Sequence, residues 1–256
     1  MLALSTLTPC PPRALKPTSR YTRFVGNRSY LSVWCREFSE STLPFTLQSF
    51  LATVPASASR PGFTQLIIRA VSFSEPPIIE HDLREHPLDP AEIVAAASEI
   101  LHDDVCYEVE AHWDLWSFDA DKKEWRLGPE RLEIVCQGEA YDDGASVENG
   151  HFCVDLGFED LFTGEGDLLV PAGGPAAATQ RAQASVEDSA EREFVQFLAE
   201  PDRLREYQEK TRENISRMQR WVRRIMMDLP VERVRLWSEG EEDFEDRIDV
   251  IQAAAE

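Results

Sequence analysis

The chain has 256 residues, 26 of them Lys or Arg and 47 Asp or Glu, with 43% hydrophobic residues and a formal charge of −21. That apolar content supports a cored, soluble domain and excludes a wholly disordered chain, and no apolar run approaches the roughly 18–20 residues of a membrane span. So acidic a chain is unsuited to counterion release on nucleic acid or to docking on an anionic membrane, and neither is expected as a partner.

The charge is uneven along the chain. Residues 1–60 hold seven Lys or Arg and only Glu37 and Glu40, net +5, whereas residues 61–256 hold 19 basic and 45 acidic side chains, net −26. The first stretch is rich in Ser, Thr and Pro and shows no sustained period of 2 or 3.6 residues. It therefore reads as a disordered, dispensable N-terminal extension over 1–60. Its Arg-rich, acid-poor composition is also that of an organellar transit peptide, and initiation at a later, non-Met codon is a third reading. The five cysteines, Cys10, Cys35, Cys106, Cys136 and Cys153, are odd in number and form no C-x-x-C pair. They fit neither a disulfide framework nor a zinc ribbon and point to a reducing cytoplasm. Cys106, Cys136 and Cys153 sit in strand-like runs, where a free thiol behaves as a small buried hydrophobe.

From Phe63 the texture is that of a folded core, expected over 63–162. Thr64 to Phe73 is β-branched and aromatic and predicts a strand. Asp89-Pro90 opens a helix, Asp89 as N-cap and Pro90 as first helical residue, with Ile93, Ala96, Ala97 and Ile100 on one face. Val105 to Leu115 alternates cleanly, Val105, Tyr107, Val109, Ala111, Trp113 and Leu115 on one side and Glu108, Glu110, His112 and Asp114 on the other. A polar turn over 119–124 should return the chain antiparallel through Trp125 to Cys136, with a kink or bulge at Gly128-Pro129. His151 to Phe158 alternates again. The fold class expected is α+β: an antiparallel sheet in β-α-β-β-β order with one side free to pack helices.

Residues 163–186 are rich in Gly, Ala and Pro and read as a linker. Residues 187–256 then form a helical arm with an acidic end. Ser185 and Asp188 suggest a capping box for a first helical piece. Pro201 opens a long helix to about Asp228, in which Leu204, Tyr207, Thr211, Ile215, Met218, Val222, Ile225 and Leu229 form an apolar stripe. The stripe needs a partner surface, which is the sheet or, alternatively, a second copy meeting it through the 201–229 helix as a homodimer. Val231 to Trp237 and Arg247 to Ile251 could close a terminal hairpin around an acidic loop.

No cofactor or metal motif stands out. Four of the five histidines fall between His81 and His112, without the i, i+4 spacing of a helical zinc site. Asp119-x-Asp121 with Glu130 has carboxylates at calcium-loop positions 1, 3 and 12, but Lys123 and Glu124 occupy the positions of an oxygen ligand and the sharp-turn glycine. The glycines around 164–174 follow no phosphate-binding pattern. His112 and His151 could share the polar side of neighbouring strands, and Cys153 lies two residues from His151, so these three are the catalytic candidates. On the long helix Arg217, Arg220 and Arg224 share a face near Trp221, a possible seat for an acidic partner or RNA, although i, i+4 pairing with acids competes for them. The densest acidic run, Glu239, Glu241, Glu242, Asp243, Glu245 and Asp246, is the candidate docking patch for a cationic protein. The expectation is a non-enzymatic acidic protein-binding module, such as an escort chaperone or an inhibitor of a basic target. The alternative is a hydrolase or metal-dependent enzyme with its site around His112 and His151.

Overall fold

The alternating segment around Trp113 forms half of the longest hairpin in a seven-stranded sheet. The computed structural model describes residues 26–119, 122–164, 194 and 196–253. In chain order the elements are β1 (Arg28–Cys35), α1 (Leu43–Thr53), β2 (Gln65–Ala70), β3 (Ile79–Asp82), α2 (Pro90–Ala97), β4 (Val105–Asp119), β5 (Glu124–Gln137), α3 (Ser146–Asn149), β6 (Phe152–Phe158), α4 (Asp160–Thr163), α5 (Pro201–Asp228), β7 (Val231–Ser238) and α6 (Phe244–Ala253). The strands lie in the order β3-β2-β4-β5-β6-β1-β7, and every pairing is antiparallel. The α+β class and the long C-terminal helix are as expected from the sequence.

The helices gather on one side. Leu31, Val33, Leu66, Ile68, Val109, Trp113, Ile134, Phe152 and Val154 form one core with Leu47 and Phe50 of α1, Ile93 of α2, Phe162 of α4, Ile215 and Met218 of α5, and Phe244 and Ile248 of α6. Phe50 stacks on Phe152 with ring centroids 4.0 Å apart. Helix α2 starts where its signals place it: Asp89 Oδ1 accepts from the Glu92 amide, and Glu92 Oε2 accepts from the Asp89 amide, both at 2.8 Å. The stripe on α5 is buried within the chain, each large side chain contributing roughly 1.5–3 kcal/mol. Asn214 also fixes the helix to β4, its Oδ1 accepting from the Trp116 amide (2.8 Å) and its Nδ2 donating to the Trp116 carbonyl (2.9 Å).

Several expectations need correction. Residues 26–60 are not a dispensable extension: β1 lies between β6 and β7 with Leu31 and Val33 fully buried, and α1 covers the sheet. No terminal hairpin forms, because Arg247 to Ile251 belongs to helix α6, which buries Phe244, Ile248 and Ile251 at helical spacing. Gly128 and Pro129 pair in unbroken register with Leu115 and Asp114, so β5 has no bulge there. Strand β3 was not foreseen. Gly150, at φ +92°, sits where the chain enters β6, and a Cβ there would lie 2.9 Å from the Val33 backbone N and O. The Ser185–Asp188 capping box, Asp121 and most of the 163–186 linker fall outside the described residues.

Candidate functional site

Because side chains alternate along each strand, covering one sheet face with helices leaves a second face set by the other half of the sequence. Among the described residues, no helix longer than four residues covers it. One end is roofed by the β5–β6 connection: Tyr141 is buried there, and Trp34 Nε1 donates to the Val147 carbonyl at 3.1 Å. The rest is open. From register, Glu80 of β3 faces Ile67 of β2, Ile67 faces Glu108 of β4, Glu110 faces Glu133 of β5, and Glu133 faces Asp155 of β6.

Like charges directly opposite one another are destabilising, so this row needs cations within it. Arg131 supplies one, reaching Glu110 Oε2 at 2.6 Å and Glu133 Oε2 at 3.1 Å. Arg69 bonds Glu108 and Arg28 bonds Asp155. Burial outweighs this pairing: it raises the pKa of Glu133 despite Arg131, and that of Asp155 despite the hydrogen bond from Arg28. Both carboxylates are held in a setting that disfavours their charge.

The β1–β7 margin has the opposite character. Arg233 lies over the Trp34 ring at 3.6 Å, and Tyr30 stacks on Trp237 at 4.3 Å. Tyr30 also donates its hydroxyl to Glu239 Oε1 at 2.9 Å, so the acidic loop after β7 adjoins the face. Within that loop Glu242, Asp243, Glu245 and Asp246 are exposed and Glu241 is half-buried. Glu245 and Asp246 occupy the first turn of α6, where negative charge favours the helix. Part of the run's acidity is therefore accounted for by local structure.

The three catalytic candidates are not brought together. His112 stands opposite Arg131, while the His151 carbonyl accepts from the Gln137 amide. Six residues of β5 separate those points, about 20 Å. His112 is 7% exposed; its Nε2 accepts from Arg60 at 3.3 Å, and its Nδ1 has no partner. Burial lowers its pKa. His151 stacks on Phe38 at 4.2 Å, its Nδ1 accepts from the Cys35 amide at 3.0 Å, and burial lowers its pKa as well. Cys153 faces Ser32 and Val135, and burial pushes its thiol up to about 12, leaving it protonated rather than nucleophilic. No cluster of three or more His, Cys, Asp or Glu side chains among the described residues is placed to hold a metal ion. No described helix is long and apolar enough to cross a membrane.

Sequence reasoning placed Glu108 and Glu110 on the polar side of β4 but did not single out Arg131, Glu133 or Asp155. The same alternation in β5 and β6 carried the signal. No family model, curated protein or solved structure matches the chain.

Proposed function

We propose that this chain is a non-enzymatic acidic module that binds a basic protein on the open sheet face, extended by the loop Glu239–Asp246. The observation that carries this reading is the row Glu110, Glu133 and Asp155 across three adjacent strands. In it one Arg131 serves two carboxylates and burial disfavours the remaining charge. A partner's Lys or Arg laid across the row would neutralise groups already partly stripped of water, where charge pairing is stronger than in bulk solvent. Size agrees. Six inter-strand spacings of about 4.8 Å and a typical paired length of about seven residues give the whole face on the order of 650 Å², one end of it roofed by the β5–β6 connection. A standard interface takes roughly 800 Å² from each partner.

Masking a basic surface is the work of an escort chaperone or an inhibitor, and a reducing cytoplasm suits the free thiols of Cys35, Cys106 and Cys136. The enzyme reading has no observation in its favour, since His112 on β4 and His151, just before β6, have their ring nitrogens facing different neighbours.

The test is a titration of the isotope-labelled full chain with an oligo-arginine peptide at low salt, followed by amide chemical shifts. Shifts should centre on β4, β5 and β6, and the pair Glu110→Gln with Glu133→Gln should weaken binding by roughly tenfold or more. Shifts spread evenly over the molecule, or confined to residues 239–246, would overturn the assignment of the open face.

A further inference from the structure

On the helical side, between α1 and α5, lies a cleft of about 190 Å³ whose wall includes Trp113, Asp114, Arg217, Arg220, Trp221 and Arg224. Positions 217, 220 and 224 follow one face of α5, which is why one groove collects three guanidinium groups in a chain of charge −21. Their expected neutralisation by neighbouring acids is only partial. Arg217 donates to Glu213 Oε1 at 2.8 Å and to the Asp114 carbonyl at 3.4 Å, but its Nε is buried without an acceptor. Arg224 donates to the Ala52 carbonyl at 3.0 Å and to Asp228 at 3.4 Å. Arg220 is exposed and has no hydrogen-bond or ion-pair partner among the described residues.

Trp113 also lines the cleft, but its Nε1, which has no acceptor, is buried and not open to the hollow. Asp114, the acid in the wall, is already engaged: its carboxylate accepts from Ser57 Oγ at 2.6 Å and from the Ala58 amide at 3.0 Å. Three arginines and one engaged carboxylate therefore line one hollow, with Arg220 unpaired among the described residues. An oxyanion is the chemistry that balances such a set, because guanidinium groups meet its oxygens in pairs.

We propose that this cleft binds a small phosphate monoester, with Arg220 and Arg224 gripping the phosphoryl oxygens and Arg217 lining the inner wall. A phosphate monoester presents about −1.5 to −2 charges over three oxygens, which suits several guanidiniums better than a single carboxylate does. The cleft's 190 Å³ corresponds to roughly six waters at about 30 Å³ each, room for a small ligand and not for a polymer. The proposal is independent of the open face, which lies on the other side of the sheet.

Calorimetric titration of the full chain with phenyl phosphate, at fixed ionic strength, tests it. Saturable binding at one site per chain is expected. Arg220→Gln should weaken it at least tenfold and leave the ligand-free melting temperature unchanged. Arg223→Gln, on the same helix but outside the cleft wall, should alter affinity by less than twofold. Benzoate should bind at least tenfold more weakly than phenyl phosphate. Absence of saturation, equal affinity of wild type and Arg220→Gln, or equal binding of benzoate would each overturn the proposal.

Discussion

Trp113 joins the layers of this molecule. It is 1% exposed, its ring lies 5.7 Å from Trp221 of α5 and 6.0 Å from Phe162 of α4, and it stands at the centre of the alternation that made β4 readable. Trp113→Ala should cost about 3–5 kcal/mol, because helices on one side and sheet on the other leave little freedom to close the void; denaturant melts check this. His151 carries a pH signature. Burial lowers its folded-state pKa, so the unfolded chain binds the proton more tightly, and stability is full above pH ~6.5 and lost as pH falls below it. His151→Asn keeps an acceptor near the Cys35 amide and removes the titration. The stability gap between wild type and this variant should be largest at neutral pH and shrink toward pH 5. Local pattern made Trp113 legible, but it put His112 on the wet side. There the Ser57 amide bonds the His112 carbonyl at 2.8 Å and the loop before β2 covers the imidazole. That burial comes from a contact 55 positions away, which no window of neighbours contains.

At the scale of elements, legibility followed the strength of the local period. The β4–β5 hairpin, α2 and α5 carry long alternations or explicit caps, and each appeared where expected. Strand β1 did not. Leu31, Val33 and Cys35 point to the core and Tyr30, Ser32 and Trp34 to the other side, but all six are buried, and the Arg-, Ser- and Pro-rich residues before them masked a strand of that length. In α6 the β-branched residues of Arg247–Ile251 suggested a strand, yet Phe244, Ile248 and Ile251 repeat at helical spacing. The position of β1 reverses the sequence-based expectation for truncation. Removing residues 1–42 deletes a strand paired on both edges, so the shortened chain should lose its cooperative thermal transition, as circular dichroism would show. A shortened chain that melts like the intact one would disprove the pairing.

Across the whole molecule, apolar burial and charge are sorted to different places. The core is continuous beneath the helices, while Glu108, Glu110, Glu133 and Asp155 share the opposite face and a further acidic run forms the loop after β7. With a charge of −21 the folded state works against its own repulsion. Screening lengths fall from about 30 Å at 0.01 M salt to about 8 Å at 0.15 M. The melting temperature should therefore rise between those two salt concentrations. A fall would mean that the ion pairs of the open face, each worth about 0–1 kcal/mol when exposed, outweigh the repulsion.

The strand order also sets a schedule. β1 ends at Cys35, whereas its two neighbours begin at Phe152 and Val231. At translation speeds of about 5–20 residues per second, β1 leaves the ribosome roughly 10–40 s before β7 is made. For roughly the first 6–23 s of that wait β6 is unmade as well, and Leu31 and Val33 belong to a nascent chain with neither neighbouring strand beside them. Production of this protein in cells should accordingly depend on factors that shelter emerging chains, more than on anything that acts once the sheet is complete.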